Sequence, residues 1–266
     1  MALGALPVLV TGPWQLMVSL PLALIVGLLD DAFSVPAVAR AATWVGCGGL
    51  LGSIHGGIWS VAVGAGLTLA TCVGINFLDG IDGIAASVTL AGCAGLIVTA
   101  SSSPLLASCL AASVGGFLLW NWAPARCYLG NSGTSLVGVW LAASMLESHP
   151  DLTGSQWQVV LFVAVVASEA VTTMVRRIRG RVGLLSRERG HGYDQLVAAG
   201  HGMGAVAGYY GVLQMLITAV AVGSIRGWLP PAVPLPAAGA LLGVTALRSG
   251  SLRPVTPAGS GSPADG

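Results

Sequence analysis

The stretch Asn76-Phe77-Leu78-Asp79-Gly80-Ile81-Asp82-Gly83-Ile84-Ala85 sets two carboxylates and an amide inside some of the most apolar sequence of the chain. An ionised Asp at the centre of a bilayer costs roughly 2.5–3.5 kcal/mol on insertion scales, so a pair this close together needs a cation or a polar cavity to compensate it. If the stretch is helical, Asn76, Asp79 and Asp82 recur at every third residue and share one face, and Gly80 and Gly83 admit a ligand close to the backbone. The pattern predicts a metal and phosphate site at a membrane surface.

The surrounding sequence supports the membrane half of that expectation. Of 266 residues, 55% are hydrophobic and 8% charged, and apolar runs recur at close to the ~20 residues that cross a hydrocarbon core. The predicted fold is all-α: a polytopic transmembrane helical bundle of about nine spans, at 8–29, 38–53, 58–75, 84–101, 104–121, 131–147, 157–175, 203–225 and 230–248. Abundant small residues, 39 of them glycine, suit close helix packing where lipid supplies no hydrophobic drive between helices. Residues 1–248 are read as one transmembrane domain, and 249–266, rich in Gly, Ser and Pro, as a disordered tail. The start Met1-Ala2-Leu3-Gly4-Ala5 lacks a basic leader region, so the first apolar run is expected to be a retained span. Cys47, Cys72, Cys93, Cys109 and Cys127 have no metal-ligand spacing and read mainly as small hydrophobes;.

All 11 basic residues are Arg, and six of them fall between Arg176 and Arg189. The positive-inside rule makes that segment cytoplasmic. Counting crossings in pairs then brings Asp30-Asp31, the 76–83 motif, the 121–133 segment and the 176–194 loop to one face, with Arg40 and Arg126. The opposite face holds His55, the Glu147 to Gln158 loop and Arg226 to Pro231, and Trp59, Trp157 and Trp228 read as interfacial anchors there.

Each of the four polar segments has chemistry of its own. Asp30 and Asp31 end an apolar run, where adjacent carboxylates oppose the helix macrodipole and ask for a cation; hard oxygen ligands near phosphate suit Mg²⁺. Gly130-Asn131-Ser132-Gly133 opens a helix and could cradle an anion on free N–H groups, or serve only as a cap. His191, among arginines and glycines, could bind phosphate or donate a proton, or simply be solvated.

In order and spacing these segments resemble the polyprenyl-phosphate N-acetylhexosamine-1-phosphate transferases, which include phospho-N-acetylmuramoyl-pentapeptide transferase. The resemblance covers about residues 20 to 200. Asp30-Asp31 is similar to the family's Asp-Asp motif and Asn76, Asp79 and Asp82 to its NxxDGxDG motif. Asn121 to Ala125 with Gly130-Asn131-Ser132-Gly133 is similar to its Asn-x-x-Pro-Ala and Gly-Asp-x-Gly-Ser element, and His191 to the first histidine of its His-x-His-His loop.

The resemblance implies phosphoryl transfer, in which a polyprenyl phosphate (undecaprenyl or decaprenyl) attacks the β-phosphate of a UDP-N-acetylhexosamine and releases UMP. The setting implied is cell-wall or surface-polysaccharide synthesis at the cytoplasmic face of the cell membrane. The implied cofactor is Mg²⁺, or Mn²⁺ in its place, on Asp31, Asp79, Asp82 and Asn131. Asp30, Asp31, Asp79 and Asp82 are the implied catalytic residues, with Asp30 meeting the lipid phosphate. Asn76, Asn121 and Asn131 would orient substrate, and His191 with Arg189 would meet the diphosphate. The lipid bilayer is the expected environment, homodimerisation stays open, and no nucleic-acid partner is expected.

Three departures stand out: Asn131 occupies the place of an acidic metal ligand, the loop keeps one histidine, and the chain begins just before the Asp30-Asp31 helix, so the family's first helices are expected to be lacking. The alternatives are an inactive or regulatory homologue and, in another class, a transporter, which would place polar groups near the bilayer midplane. CDP-alcohol phosphotransferases fit less well, since no Ala-Arg follows Asp82-Gly83.

Overall fold

A computed structural model describes residues 12–100, 104–148, 157–180 and 191–249. Among these residues the chain forms ten α-helices: α1 Trp14–Phe33, α2 Ala37–Gly52, α3 Gly57–Leu78, α4 Ile84–Thr99, α5 Leu105–Asn121, α6 Gly130–Ser148, α7 Ala164–Arg179, α8 Gly192–Ala198, α9 Met203–Ile225 and α10 Pro234–Ser249. All but the seven-residue α8 overlap the nine apolar runs of the sequence. Five segments are long and apolar enough to cross a membrane: α1, α2 with its following turn, α3, Trp157–Arg179 and α9. The fold is that of a polytopic membrane helical protein. Of the predicted tail, Ser249 belongs to α10, and 250–266 lie outside the described residues.

Helix α6 is the hub. Nearly every residue from Thr134 to Leu146 is buried, as expected of a helix packed on all sides, and α1, α2, α3, α4 and α5 all touch it. Small residues set the spacing: a Cβ on Gly27 of α1 would come within 2.3 Å of Ser132 Cα in α6. Buried polar groups tie the hub to its neighbours. Thr71 Oγ1 of α3 donates to the Gly138 carbonyl at 2.8 Å, and Trp140 Nε1 donates to the Leu106 carbonyl at 3.1 Å.

The predicted span 157–175 is not one continuous α-helix. A 3₁₀ stretch, Trp157–Val163, precedes α7, and a membrane interior leaves no water to satisfy the backbone at such a break. Gln214 of α9 does so instead: its Oε1 accepts from Val165 N at 2.9 Å and its Nε2 donates to the Leu161 carbonyl at 2.9 Å. The last helix starts at Pro234 rather than 230, because Pro230 and Pro231 lie in the preceding turn.

Candidate active site at one end of the bundle

The 76–83 motif is not a helical face. Helix α3 ends at Leu78 and α4 begins at Ile84, so Asp79 and Asp82 sit in the turn between two helices. The glycines of that turn do structural work. Gly83 has φ +82°, a conformation that L side chains rarely adopt;. Gly80 makes room for Tyr193, whose Oη would lie 2.2 Å from an added Cβ. The freed space is therefore filled by protein rather than opened to a ligand. Tyr193 Oη donates to the Phe77 carbonyl at 2.6 Å, satisfying one of the acceptors that every helix C-terminus leaves over.

The turn is also held from the other side. Asn121, at the end of α5, accepts from Gly83 N at 3.0 Å and donates to the Cys127 carbonyl at 2.8 Å. The Ala125 N–H donates to Asp82 Oδ2 at 2.9 Å. Expected to orient substrate, Asn121 is instead 4% exposed and engages its amide with backbone of two loops. Each end of the amide has a backbone partner, so Asn121 ties the acid turn to the loop after α5.

A similar correction applies to the anion cradle foreseen at Gly130-Asn131-Ser132. The N–H groups of Asn131 and Ser132 do hold a carboxylate, at 2.9 and 3.0 Å, and it is that of Asp31. The positive end of α6 thereby ties α1 to the hub. Asn76 Nδ2 donates to Asn131 Oδ1 at 3.2 Å and to Thr134 Oγ1 at 3.3 Å, which joins α3 to the same point. Asp30 is buried and paired with the Arg40 guanidinium of α2. The carboxylate expected to meet the lipid phosphate is thus engaged by a side chain of the neighbouring helix.

Asp79 differs from the other three acids. Among the described residues no hydrogen bond or ion pair to its carboxylate is formed, and burial pushes the group up to about 7. A half-buried carboxylate without a partner is the donor a cation would satisfy. Among the described residues no three His, Cys, Asp or Glu side chains come together to hold a metal, so the expected convergence of Asp31, Asp79 and Asp82 on one ion is not built into the bundle. The residues fit an ion held by one or two carboxylates and otherwise by water and phosphate, as Mg²⁺ commonly is. They do not fit a closed protein cage.

The fourth segment reaches the same end of the bundle through Phe77. The His191 ring centroid lies 5.8 Å from that of Phe77, and Arg177 sits over Phe77 at 4.9 Å. His191 is buried rather than solvated, stacked on Tyr193 at 5.1 Å, with Nδ1 3.1 Å from both Glu169 Oε1 and Thr173 Oγ1. Arg176, one turn beyond Thr173, is 3% exposed, and among the described residues its Nε has no hydrogen-bond partner. A buried guanidinium is costly unless it meets an anion. Arg189 lies outside the described residues.

Sequence reasoning placed Arg176 at this end of the bundle and missed Glu169 and Thr173. A signal for Glu169 was there: it is the one charged residue inside the apolar run 157–175, and an ionisable group within a span marks function by default.

The family model for glycosyl transferase family 4 matches residues 13–149, more than half of the chain, and takes in Asp30, Asp31, the 76–83 turn, Asn121 and Asn131. The chain belongs to glycosyl transferase family 4. Among curated members related to this family 4 chain, the decaprenyl-phosphate N-acetylglucosaminephosphotransferase of Mycolicibacterium smegmatis is 30% identical, over 72% of this chain and 58% of the relative. The undecaprenyl-phosphate alpha-N-acetylglucosaminyl 1-phosphate transferase of Thermotoga maritima is 30% identical, over 60% of this chain and 53% of its own. A phospho-N-acetylmuramoyl-pentapeptide-transferase of Paenarthrobacter aurescens is 30% identical over 40% of this chain. The chain spans about half the length of the curated relatives it matches.

Proposed function

We propose that this family 4 chain transfers an N-acetylhexosamine 1-phosphate from a UDP-linked donor to a polyprenyl phosphate at the cytoplasmic face of the membrane. An oxygen of the lipid phosphate attacks the β-phosphorus of the donor, the bond from that phosphorus to the bridging oxygen breaks, and UMP leaves with the bridging oxygen. The product, a lipid-diphospho-sugar, would enter cell-wall or surface-polysaccharide synthesis. Relatives whose names specify decaprenyl-phosphate and undecaprenyl-phosphate N-acetylglucosamine 1-phosphate transfer support the acceptor and sugar classes.

The observation that carries the reading is Asp79, a half-buried carboxylate without a partner among the described residues, in a turn held in place from both sides. With Asp82 beside it, Asp79 would hold Mg²⁺, which supplies charge neutralisation when two anions must meet in line. Arg176 and His191 would receive the donor diphosphate, and Asn76 and Asn131 would fix the angle between α3 and α6 on which the acid turn rests. Asp31 acts in this scheme as a clamp.

The test is UMP release by the purified protein from UDP-N-acetylglucosamine and a polyprenyl phosphate, with and without chelator. The expected result is Mg²⁺-dependent turnover that Asp79→Asn removes. One observation favours a second reading, a family member that binds without turning over: the acids do not converge as a group and residue 131 is an amide. Turnover in neither the native protein nor Asn131→Asp sinks the enzyme reading and leaves the second.

A further inference from the structure

Glu169 is 5% exposed and lies on α7, within a segment apolar enough to span the membrane. A carboxylate there is expensive unless it is paired and hydrogen-bonded. Its partner is the Nδ1 edge of His191, at 3.1 Å, with Thr173 Oγ1 also 3.1 Å from the same nitrogen. Glu169 and Thr173, four residues apart, share one face of α7, and Arg176 continues that face by a further turn. His191 is fixed in three more ways: Asp194 Oδ2 accepts from its backbone N–H at 3.0 Å, Tyr193 stacks on its ring at an interplanar angle of 4°, and Phe77 borders it.

We propose that Glu169 is a positioning residue for anion recognition by His191. A carboxylate facing Nδ1 keeps a proton on that nitrogen, so a second proton, taken up as the anion binds, sits on Nε2 and makes Nε2–H the donor to an oxygen of the ligand. Thr173 stiffens the pair, and Tyr193 links it mechanically to the acid turn, because the same side chain that stacks on His191 bonds the Phe77 carbonyl two residues before Asp79. Recognition of the diphosphate and placement of Asp79 thus depend on one packed unit. The proposal rests on the reading above in which His191 meets the donor diphosphate.

The experiment uses the full chain purified in detergent, with UDP and Mg²⁺ as the probe, and equilibrium binding as the readout. Glu169→Leu is expected to weaken UDP binding about 10-fold, the lower end of what removing an orienting partner of a histidine ligand does elsewhere. His191→Ala is expected to do the same, and the double variant to be no weaker than His191→Ala alone, since the carboxylate acts through the ring. The KM for polyprenyl phosphate should not move. Wild-type UDP affinity in Glu169→Leu, or additive losses in the double variant, overturns the proposal. Should Glu169→Leu fail to fold, Glu169→Asp replaces it: weaker UDP binding at an unchanged melting temperature supports the proposal and unchanged binding overturns it. A native protein that neither binds UDP nor releases UMP defeats the functional reading instead. In that case ¹⁵N-histidine spectra, simple for a chain of four histidines, still decide the pairing: His191 should carry its proton on Nδ1 and lose that preference in Glu169→Leu, and no change between the two overturns it.

Discussion

The two acidic pairs of this protein look interchangeable in sequence and are treated differently by the fold. Asp30 and Asp31 occupy the last turn of α1, where one is neutralised by Arg40 and the other is gripped by the N–H groups that open α6. Asp79 and Asp82 occupy a turn between helices, where Asp82 accepts a backbone N–H from Ala125 and Asp79 is left without a partner among the described residues. Two of the four acids therefore tie helices together, and a third ties the turn to a loop. What separates them is whether a donor of another segment reaches the carboxylate: a guanidinium for Asp30, the opening N–H groups of α6 for Asp31, a loop N–H for Asp82, and none among the described residues for Asp79;.

That contrast breaks most sharply at Asp79. Replacing it with Asn should lower turnover about 10³-fold, the order of several kcal/mol of lost transition-state charge stabilisation, while the melting temperature in chelator stays level or rises. The sign follows from burial, which pushes the folded-state carboxyl from 3.8 up to about 7. A raised carboxyl contributes stability while protonated, below about pH 4, and that contribution is lost as pH rises through about 7. In chelator the native protein should lose stability across this window and Asp79→Asn should not. Melting curves at several pH values check it, and a parallel loss in both proteins would show that Asp79 is not the strained acid.

At Asp30 the opposite outcome is expected. Arg40→Met leaves a buried carboxylate alone; breaking such a pair costs about 3–5 kcal/mol when both partners are fully buried, and the partial exposure of Arg40 brings the expectation down to about 2 kcal/mol. Adding Asp30→Asn to Arg40→Met should recover most of the lost melting temperature. A single variant as stable as the native protein would return Asp30 to the list of acids free for chemistry.

How much of this was legible in the sequence depends on the range of the interaction. The helices were readable because apolar runs of span length declare themselves locally, and the meeting of the four polar segments followed from counting crossings. Which acid would be locked was not readable, because Asp31 finds its partners about a hundred residues away at Asn131 and Ser132. The same distance hid the role of Asn121, whose amide serves a glycine 38 residues earlier. The helical face imagined for Asn76, Asp79 and Asp82 failed locally, since Gly80 and Gly83 break the helix that the spacing presupposed. Glu169 had a visible signal, a lone charge in an apolar run, and its partner 22 residues on lay across the Arg-rich loop.

Asp31 and its clamp give the next smaller effect. Asp31→Ala removes a carboxylate from the start of α6, a cap worth about 1 kcal/mol, and should lower stability by that much, read as a lower melting temperature with or without Mg²⁺. Asn131→Asp should do least in chelator. A negative charge in the first turn of α6 gains about 0.3–1 kcal/mol from the dipole, and its repulsion by Asp31, whose carboxylate already bonds the Asn131 N–H, is of similar size and opposite sign;. Asn76 can donate to an Asp at 131 as it does to the present amide. What should change is the response to metal: titrating Mg²⁺ against melting temperature should stabilise Asn131→Asp more than the native protein, because the variant adds a second hard carboxylate within reach of the clamp. Equal Mg²⁺ responses would mean that residue 131 faces α3 and α1 only, and that Asp79 and Asp82 meet the ion without help from the start of α6.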